Sequence, residues 1–375
     1  MTWWTTPRPA DDSYGEDDEE REPTPTPWRA AAPATPTEEV HRVALDAYDD
    51  ELTKADLAPK PTVDQEAQRA QRRATLIRLG NLGLFALAVV GAAAGVAVAW
   101  MHVVGDPLAD AHAYYEAASR LNAGQPLYPA NLDPNQNHIY LYPPLLAMVL
   151  RPLALLPYAW FALLWELVVV ATFVWLLQHL GVRKRSTWIA IGMLGVPIGW
   201  ALTIAQAHIP MTLLLALGQP WSIAVAANLK LFPVLIALYW LGRRDWESLL
   251  AFFVWSALLV VAQLVIDAPN TFAFVKAVGF DQTGEPGVLR NFSIYTVSPI
   301  AWLGLLFAGC IAILVAARTR CGWAVAVTVA TLAPPRLLVY MLTGLLAGIR
   351  RPKAAGEPDP DDLSDPAAVY VRSAP

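Results

Sequence analysis

Between about residue 74 and residue 350 long apolar runs alternate with short polar loops, and five basic clusters lie in or beside this stretch. These are Arg69 to Arg78, Arg183-Lys184-Arg185, Arg243-Arg244, Arg318 to Arg320 and Arg350 to Lys353. The apolar runs between them reach the ~20 residues that cross a bilayer as a helix. In lipid the backbone must satisfy its own hydrogen bonds, which leaves helices as the spanning element for blocks of this kind. The expected fold is therefore all-α: a polytopic integral membrane protein, 55% hydrophobic and 16% charged, with the charge crowded into its two tails and a few loops.

Lys and Arg near the ends of spans mark the cytoplasmic side. All five basic clusters read as cytoplasmic, the stretches 102 to 139 and 268 to 297 read as outward, and both termini read as inside. Parity then assigns the crossings. The first span is 82 to 101. Block 140 to 180 crosses once, through 158 to 180, while 140 to 157, interrupted at Pro143-Pro144, Arg151-Pro152 and Pro157, forms a short re-entrant or interfacial helix. Block 186 to 242 divides at Gln206, Gly218 and Lys230 to Pro233 into four segments. Block 246 to 267 leaves, 298 to 317 returns, and 321 to 349 is a hairpin of half-helices broken at Pro334-Pro335. This makes about ten hydrophobic helical segments, some short or broken.

Residues 1 to 73 are acidic and rich in Pro, Thr and Ala, and 351 to 375 are similar. Such composition cannot bury enough apolar surface to fold, so both are expected to be disordered cytoplasmic tails around a membrane domain of 74 to 350. Residues 1 to 20 lack an apolar core behind a basic start, so the first span is expected to remain as an anchor. The two cysteines, Cys310 and Cys321, fall within or at the cytoplasmic end of a span and imply no structural disulfide. The net charge of -5 belongs to the tails, and neither a nucleotide-binding glycine loop nor zinc-type Cys/His spacing is present. A nucleic-acid partner is not expected.

Residues suited to chemistry cluster after the first span. Asp110 opens a helix expected over 110 to 122, where the helix dipole favours its ionised form and makes it a proton acceptor at neutral pH. The same residue type is ordinary at a helix start. Tyr114 lies one turn further on and Tyr115 beside it, an arrangement also common among interfacial aromatics. Lys230 and Arg336 each stand at a point where Pro residues break a hydrophobic segment. A charge at membrane depth costs about 2.5 to 3.5 kcal/mol unless it faces protein or water. The two therefore point either to a cavity that holds an anion or to snorkelling and a structural ion pair, for which Glu166 is a candidate. Arg290, before Asn291, joins them as a possible phosphate ligand. Gln206 and His208, beside Pro210, are candidate substrate contacts.

Read together, these residues resemble glycosyltransferase family 87, the polyprenol-phosphate-mannose-dependent mannosyltransferases of the GT-C superfamily. The resemblance runs over about 80 to 350. It rests on Asp110-Ala111-His112-Ala113-Tyr114-Tyr115 with Ala117-Ala118 and Leu121, on Ala123-Gly124 with Leu127-Tyr128, on Tyr142-Pro143-Pro144-Leu145 with Pro152-Leu153 and Leu156-Pro157, and on Leu229-Lys230-Leu231-Phe232-Pro233. Where the family has Gly-Gln, this chain has Ala205-Gln206. Where several members have a His-containing segment, it has Pro334-Pro335-Arg336.

The resemblance implies a plasma-membrane enzyme with its active site on the outer face. It would transfer mannose from a polyprenyl-phosphate donor to a glycolipid or lipoglycan acceptor. Asp110 would be the base, Lys230, Arg336 and Arg290 the phosphate ligands, and Tyr114, Tyr115, Tyr142, Gln206, His208 and Asn291 the substrate contacts. A phosphate leaves without general-acid help, so one carboxylate and one or more cations suffice, in contrast to the carboxylate pair of most glycosidases. No metal site or cofactor is assigned, with a divalent ion left open. A polyprenyl-phospho-arabinose donor, a lipid-linked sugar transporter using the same broken helices, and a membrane scaffold remain as alternatives.

Overall fold

The computed structural model describes residues 63–128, 138–181, 184–278 and 291–352. Most of the tail residues expected to be disordered lie outside these. A division of the chain falls between Ala74 and Thr75. The first helix, α1, runs over Val63–Gly105, so helix begins within the segment expected to lack structure.

After α1 come α2 (Ala109–Asn122), α3 (Pro144–Leu150) with a 3-10 turn at Leu153–Leu155, and α4 (Tyr158–Leu180). Next follow α5 (Arg185–Met193), α6 (Gly195–Thr203), α7 (His208–Leu217), α8 (Pro220–Leu229), a 3-10 segment at Phe232–Ile236 and α9 (Ala237–Arg243). The chain continues through α10 (Trp246–Val278), α11 (Pro299–Ala316), α12 (Gly322–Leu332) and a 3-10 segment at Val339–Gly348. By length and composition, four of the described helices can cross a membrane, in α1, α4, α10 and α11. The pair α5–α6, bent by 70° at Leu194, makes a fifth if counted as one span. The protein is an all-α, multi-pass membrane protein.

The breaks fall where local chemistry demands them. Block 186 to 242 is interrupted at Gln206, Gly218 and Lys230, with Gly218 in the left-handed region at φ 60°. The α5–α6 bend at Leu194 adds a break not anticipated. Block 321 to 349 splits around Pro334-Pro335, as two consecutive prolines remove two backbone donors. The helix expected over 246 to 267 ends at a kink at Asp267, and a second helical stretch follows to Val278. Asp267 is extended (φ -159°, ψ 79°) ahead of Pro269, and its carboxylate restarts the helix by accepting from Asn270 N at 3.2 Å and Asn270 Nδ2 at 2.7 Å. Asn270 Oδ1 then accepts from the backbone of Leu127 at 2.9 Å, which pins the segment after α2 to α10.

Buried side chains form two clusters. One gathers Tyr114, Tyr140, Phe161, Trp165, Ile204 and Ile209 around α2 to α4 and the α6–α7 turn. The other gathers Ile223, Ile236, Trp240, Phe252, Ile313 and Trp323 around α8, α9, α11 and α12. Because lipid is as apolar as leucine, helices in a membrane are held by close packing and hydrogen bonds more than by apolar burial. Both are visible. Gln263 of α10, 3% exposed, donates to Asn228 Oδ1 of α8 at 2.9 Å. Along α1, a Cβ on Gly91 would run into the backbone of Gly192, and one on Gly95 into Gly195. A Cβ on Gly192 would stand 2.6 Å from the carbonyl oxygen of Ala88.

These backbone contacts leave no room for a side chain. Gly95→Leu is expected to destabilise the protein by about 1 to 3 kcal/mol, read as earlier thermal unfolding in detergent. Gly83→Leu, where no atom lies within 4 Å of the added carbon, is the control. Equal melting of the two variants would show that this contact does not hold α1 in place.

Candidate active site

The site is assembled from the start of α2, the turn between α6 and α7, the approach to α3, and the two breaks at Lys230 and Arg336. Leu108, at φ 60°, turns the chain from α1 into α2. The first turn of α2 is docked on the end of α6, with Leu108 N donating to Thr203 O at 3.0 Å and Asp110 N to Ile204 O at 3.1 Å. The α6–α7 turn needs a left-handed residue, and Ala205 adopts φ 56° there, at a steric cost of about 1 to 2 kcal/mol for a residue with a Cβ. Trp165 Nε1 holds the turn by donating to Ala205 O at 2.8 Å.

Gln206 is thereby turned inward and is 1% exposed. Its Oε1 accepts from Tyr114 Oη at 2.6 Å and from Tyr142 Oη, and its Nε2 donates to Asp110 Oδ2. Tyr114, 1% exposed, also accepts from Ala207 N at 3.2 Å. Asp110 keeps part of its surface open. Burial pushes its carboxyl up to about 7, against the opposing pull of Lys230, Gln206 and His138. Burial thus works against the ionised form that the helix start was expected to favour. The result is a carboxylate that titrates near neutrality.

Lys230 ends α8 with an extended backbone (φ -146°, ψ 133°). Its Nζ is shielded from solvent and has no hydrogen-bond partner among the described residues. It stands 5.2 Å from the ring centroid of Tyr142 and 5.3 Å from that of Tyr340, both within cation–π range. The charges of Asp110 and Arg336 both act on it. The ion-pair role raised for Glu166 is not seen. Its Oε2 is buried in α4 without a hydrogen-bond partner among the described residues.

Asn291 is buried away from the aqueous surface and clamps the backbone on both sides of Arg336. Its Nδ2 donates to Pro335 O at 3.1 Å and its Oδ1 accepts from Leu337 N at 3.0 Å. His208 is 3% exposed and bonds Met341 O through Nε2 at 2.8 Å. Tyr115 turns to the other side of α2, edge-on to Tyr158 and Phe161 with centroids 5.4 and 5.2 Å away. Arg290 lies outside the described residues. The structure thus brings together Asp110, Tyr114, Tyr142, Gln206, Lys230 and Arg336, and keeps Tyr115 apart. It adds Tyr340 and Trp165, which carry no sequence signal beyond being aromatic in an apolar segment. Outside this group, His138 Nε2 meets Asp106 Oδ2 at 3.1 Å and the His138 ring stacks on His112 at 4.5 Å. Among the described residues no three of His, Cys, Asp and Glu converge as a metal site.

A helical membrane protein that buries a cation beside a carboxylate, among aromatic side chains, has the equipment for transfer chemistry on a charged, lipid-borne group. The model of glycosyltransferase family 87 matches residues 140–349, and the chain belongs to this family. Tyr142, Gln206, Lys230 and Arg336 lie inside the matched region, and Asp110 and Tyr114 lie ahead of it.

Two curated relatives are polyprenol-phosphate-mannose-dependent alpha-(1-2)-phosphatidylinositol pentamannoside mannosyltransferases. The one from Mycolicibacterium smegmatis is 27% identical over 219 residues, 52% of this chain and 53% of that protein. The one from Mycobacterium tuberculosis is 27% identical over 213 residues, 49% of this chain and 48% of that protein. The chain spans about half the length of the curated relatives it matches. No solved structure matches it.

Proposed function

We propose that this protein is a membrane mannosyltransferase that takes mannose from a polyprenol-phosphate-mannose donor and passes it to a hydroxyl of a phosphatidylinositol-linked glycolipid or a related lipoglycan. The observation that supports this reading is that Asp110 and Lys230, the proposed base and the proposed phosphate ligand, lie within electrostatic reach of each other, with the Tyr142 ring 5.2 Å from Lys230 Nζ. The acceptor oxygen attacks the anomeric carbon while the bond from that carbon to the phosphate oxygen breaks. The acceptor proton passes to Asp110, and the electron pair leaves on the phosphate, whose charge Lys230 and Arg336 stabilise. Attack opposite the leaving group inverts the anomeric centre.

Incubating purified protein with labelled polyprenol-phosphate-mannose and phosphatidylinositol mannosides is expected to yield a labelled glycolipid. Transfer from a polyprenyl-phospho-arabinose donor alone would replace mannose with arabinose. Movement of a lipid-linked sugar across vesicles without transfer would replace the enzyme with a transporter.

The basic clusters support an outward site with both termini cytoplasmic. In a background lacking Cys310, an impermeant thiol reagent is expected to label Gln125→Cys in intact cells and the exposed native Cys321 only after permeabilisation. The reverse pattern would overturn the orientation.

A further inference from the structure

Three of the four hydrogen-bonding positions on the Gln206 side chain are taken within the protein, and the side chain is 1% exposed. Two phenols, Tyr114 and Tyr142, donate to its one carbonyl oxygen, and its amide nitrogen faces Asp110 Oδ2. This sets the amide's direction, because a carboxylate accepts hydrogen bonds and would repel the carbonyl end. We infer that Gln206 is a positioning residue for Asp110, held by Tyr114 and Tyr142, and is not itself a substrate contact. The inference rests on the proposed function, in which Asp110 is the base.

Three separate pieces of chain build the device. Asp110 and Tyr114 are one helical turn apart on α2 and face the same way, Gln206 comes from the α6–α7 turn, and Tyr142 from the approach to α3. With Oδ2 engaged by the amide, Oδ1 is the oxygen that takes the acceptor's proton. Tyr142 has a second duty, as its ring faces Lys230 Nζ at 5.2 Å. One phenol therefore touches both the amide that aims the base and the cation proposed to hold the donor phosphate. An anion drawn to Lys230 would press on the same ring that steadies Gln206.

The test is steady-state transfer by Gln206→Met over about pH 5 to 9, with polyprenol-phosphate-mannose and phosphatidylinositol mannosides as substrates. The variant keeps the length of the side chain and loses both its donor and its acceptor. A misaimed base is expected to lower kcat by up to about 100-fold. Loss of a hydrogen bond that favours the ionised carboxylate is expected to move the acidic limb of kcat up by about one pH unit. The donor KM is expected to stay near that of the parent.

Tyr114→Phe, which removes one phenol and keeps the amide, is expected to move the limb the same way with a smaller loss. It carries the test if Gln206→Met fails to fold. A raised donor KM with an unmoved limb would make Gln206 a substrate contact, and unchanged kinetics would make it a space filler. Either result overturns the inference. Retained transfer by Asp110→Asn would overturn the proposed base itself. An inactive Asp110→Asn beside an unmoved limb in the other two variants would remove only the role given to Gln206.

Discussion

Asp110→Asn is expected to lower transfer by at least ~100-fold with folding intact. The change keeps the size of the side chain and its ability to accept from Gln206, and removes the basicity. Asp106→Asn is expected to do much less, as Asp106 is exposed and hydrogen-bonded to His138. With the Asp110 carboxyl pushed up to about 7 by burial, the working, deprotonated form is scarce below that pH. Transfer by the parent protein should therefore rise as pH increases through about 7. The measurement is turnover of the two purified variants side by side, with a pH profile of the parent. Near-normal transfer by Asp110→Asn, or a larger loss in Asp106→Asn, would overturn the assignment.

Lys230→Gln is expected to weaken donor binding far more than acceptor binding. A charge-assisted contact in a sheltered site contributes about 1.5 to 3 kcal/mol, which corresponds to a loss in donor affinity of roughly 10- to 150-fold. Removing the charge also relieves the burial of an ammonium that has no hydrogen bond among the described residues, so the variant should fold at least as well as the parent. Donor affinity unchanged in a well-folded Lys230→Gln would leave Lys230 as a structural cation seated between Tyr142 and Tyr340.

Most of the helices and their breaks, the bend at Leu194 excepted, were legible in the sequence because both are local. Tyr158–Leu180 and Pro299–Ala316 follow from runs of apolar length, and the interruptions at Gly218, Lys230 and Pro334-Pro335 follow from residues that end helices through their own backbones. The start of α1 at Val63 and the second helical stretch after Asp267 were missed for a related reason. Composition marks where lipid ends but not where helix ends, and the Asp267–Asn270 cap restarts a helix outside the apolar run.

The candidate site divides along the same line. Asp110, Lys230 and Arg336 stand out in the sequence because a charge is conspicuous beside apolar residues and helix breaks. The duties of Gln206, Asn291 and Tyr340 do not, since a neutral amide or phenol looks alike whether it meets substrate or another side chain. Gln206 meets Asp110 across 96 positions of chain, and Asn291 meets Leu337 across 46. Which partner each one finds depends on how α2 docks on the end of α6 and how Asn291 and Phe292 fold back on Leu337. The sequence alone thus determined the membrane class, the order of the spans and the charged candidates, through hydropathy and backbone breaks read locally. Only the tertiary structure decided which polar groups face one another, because hydrogen-bond partners distant in the chain are chosen by packing.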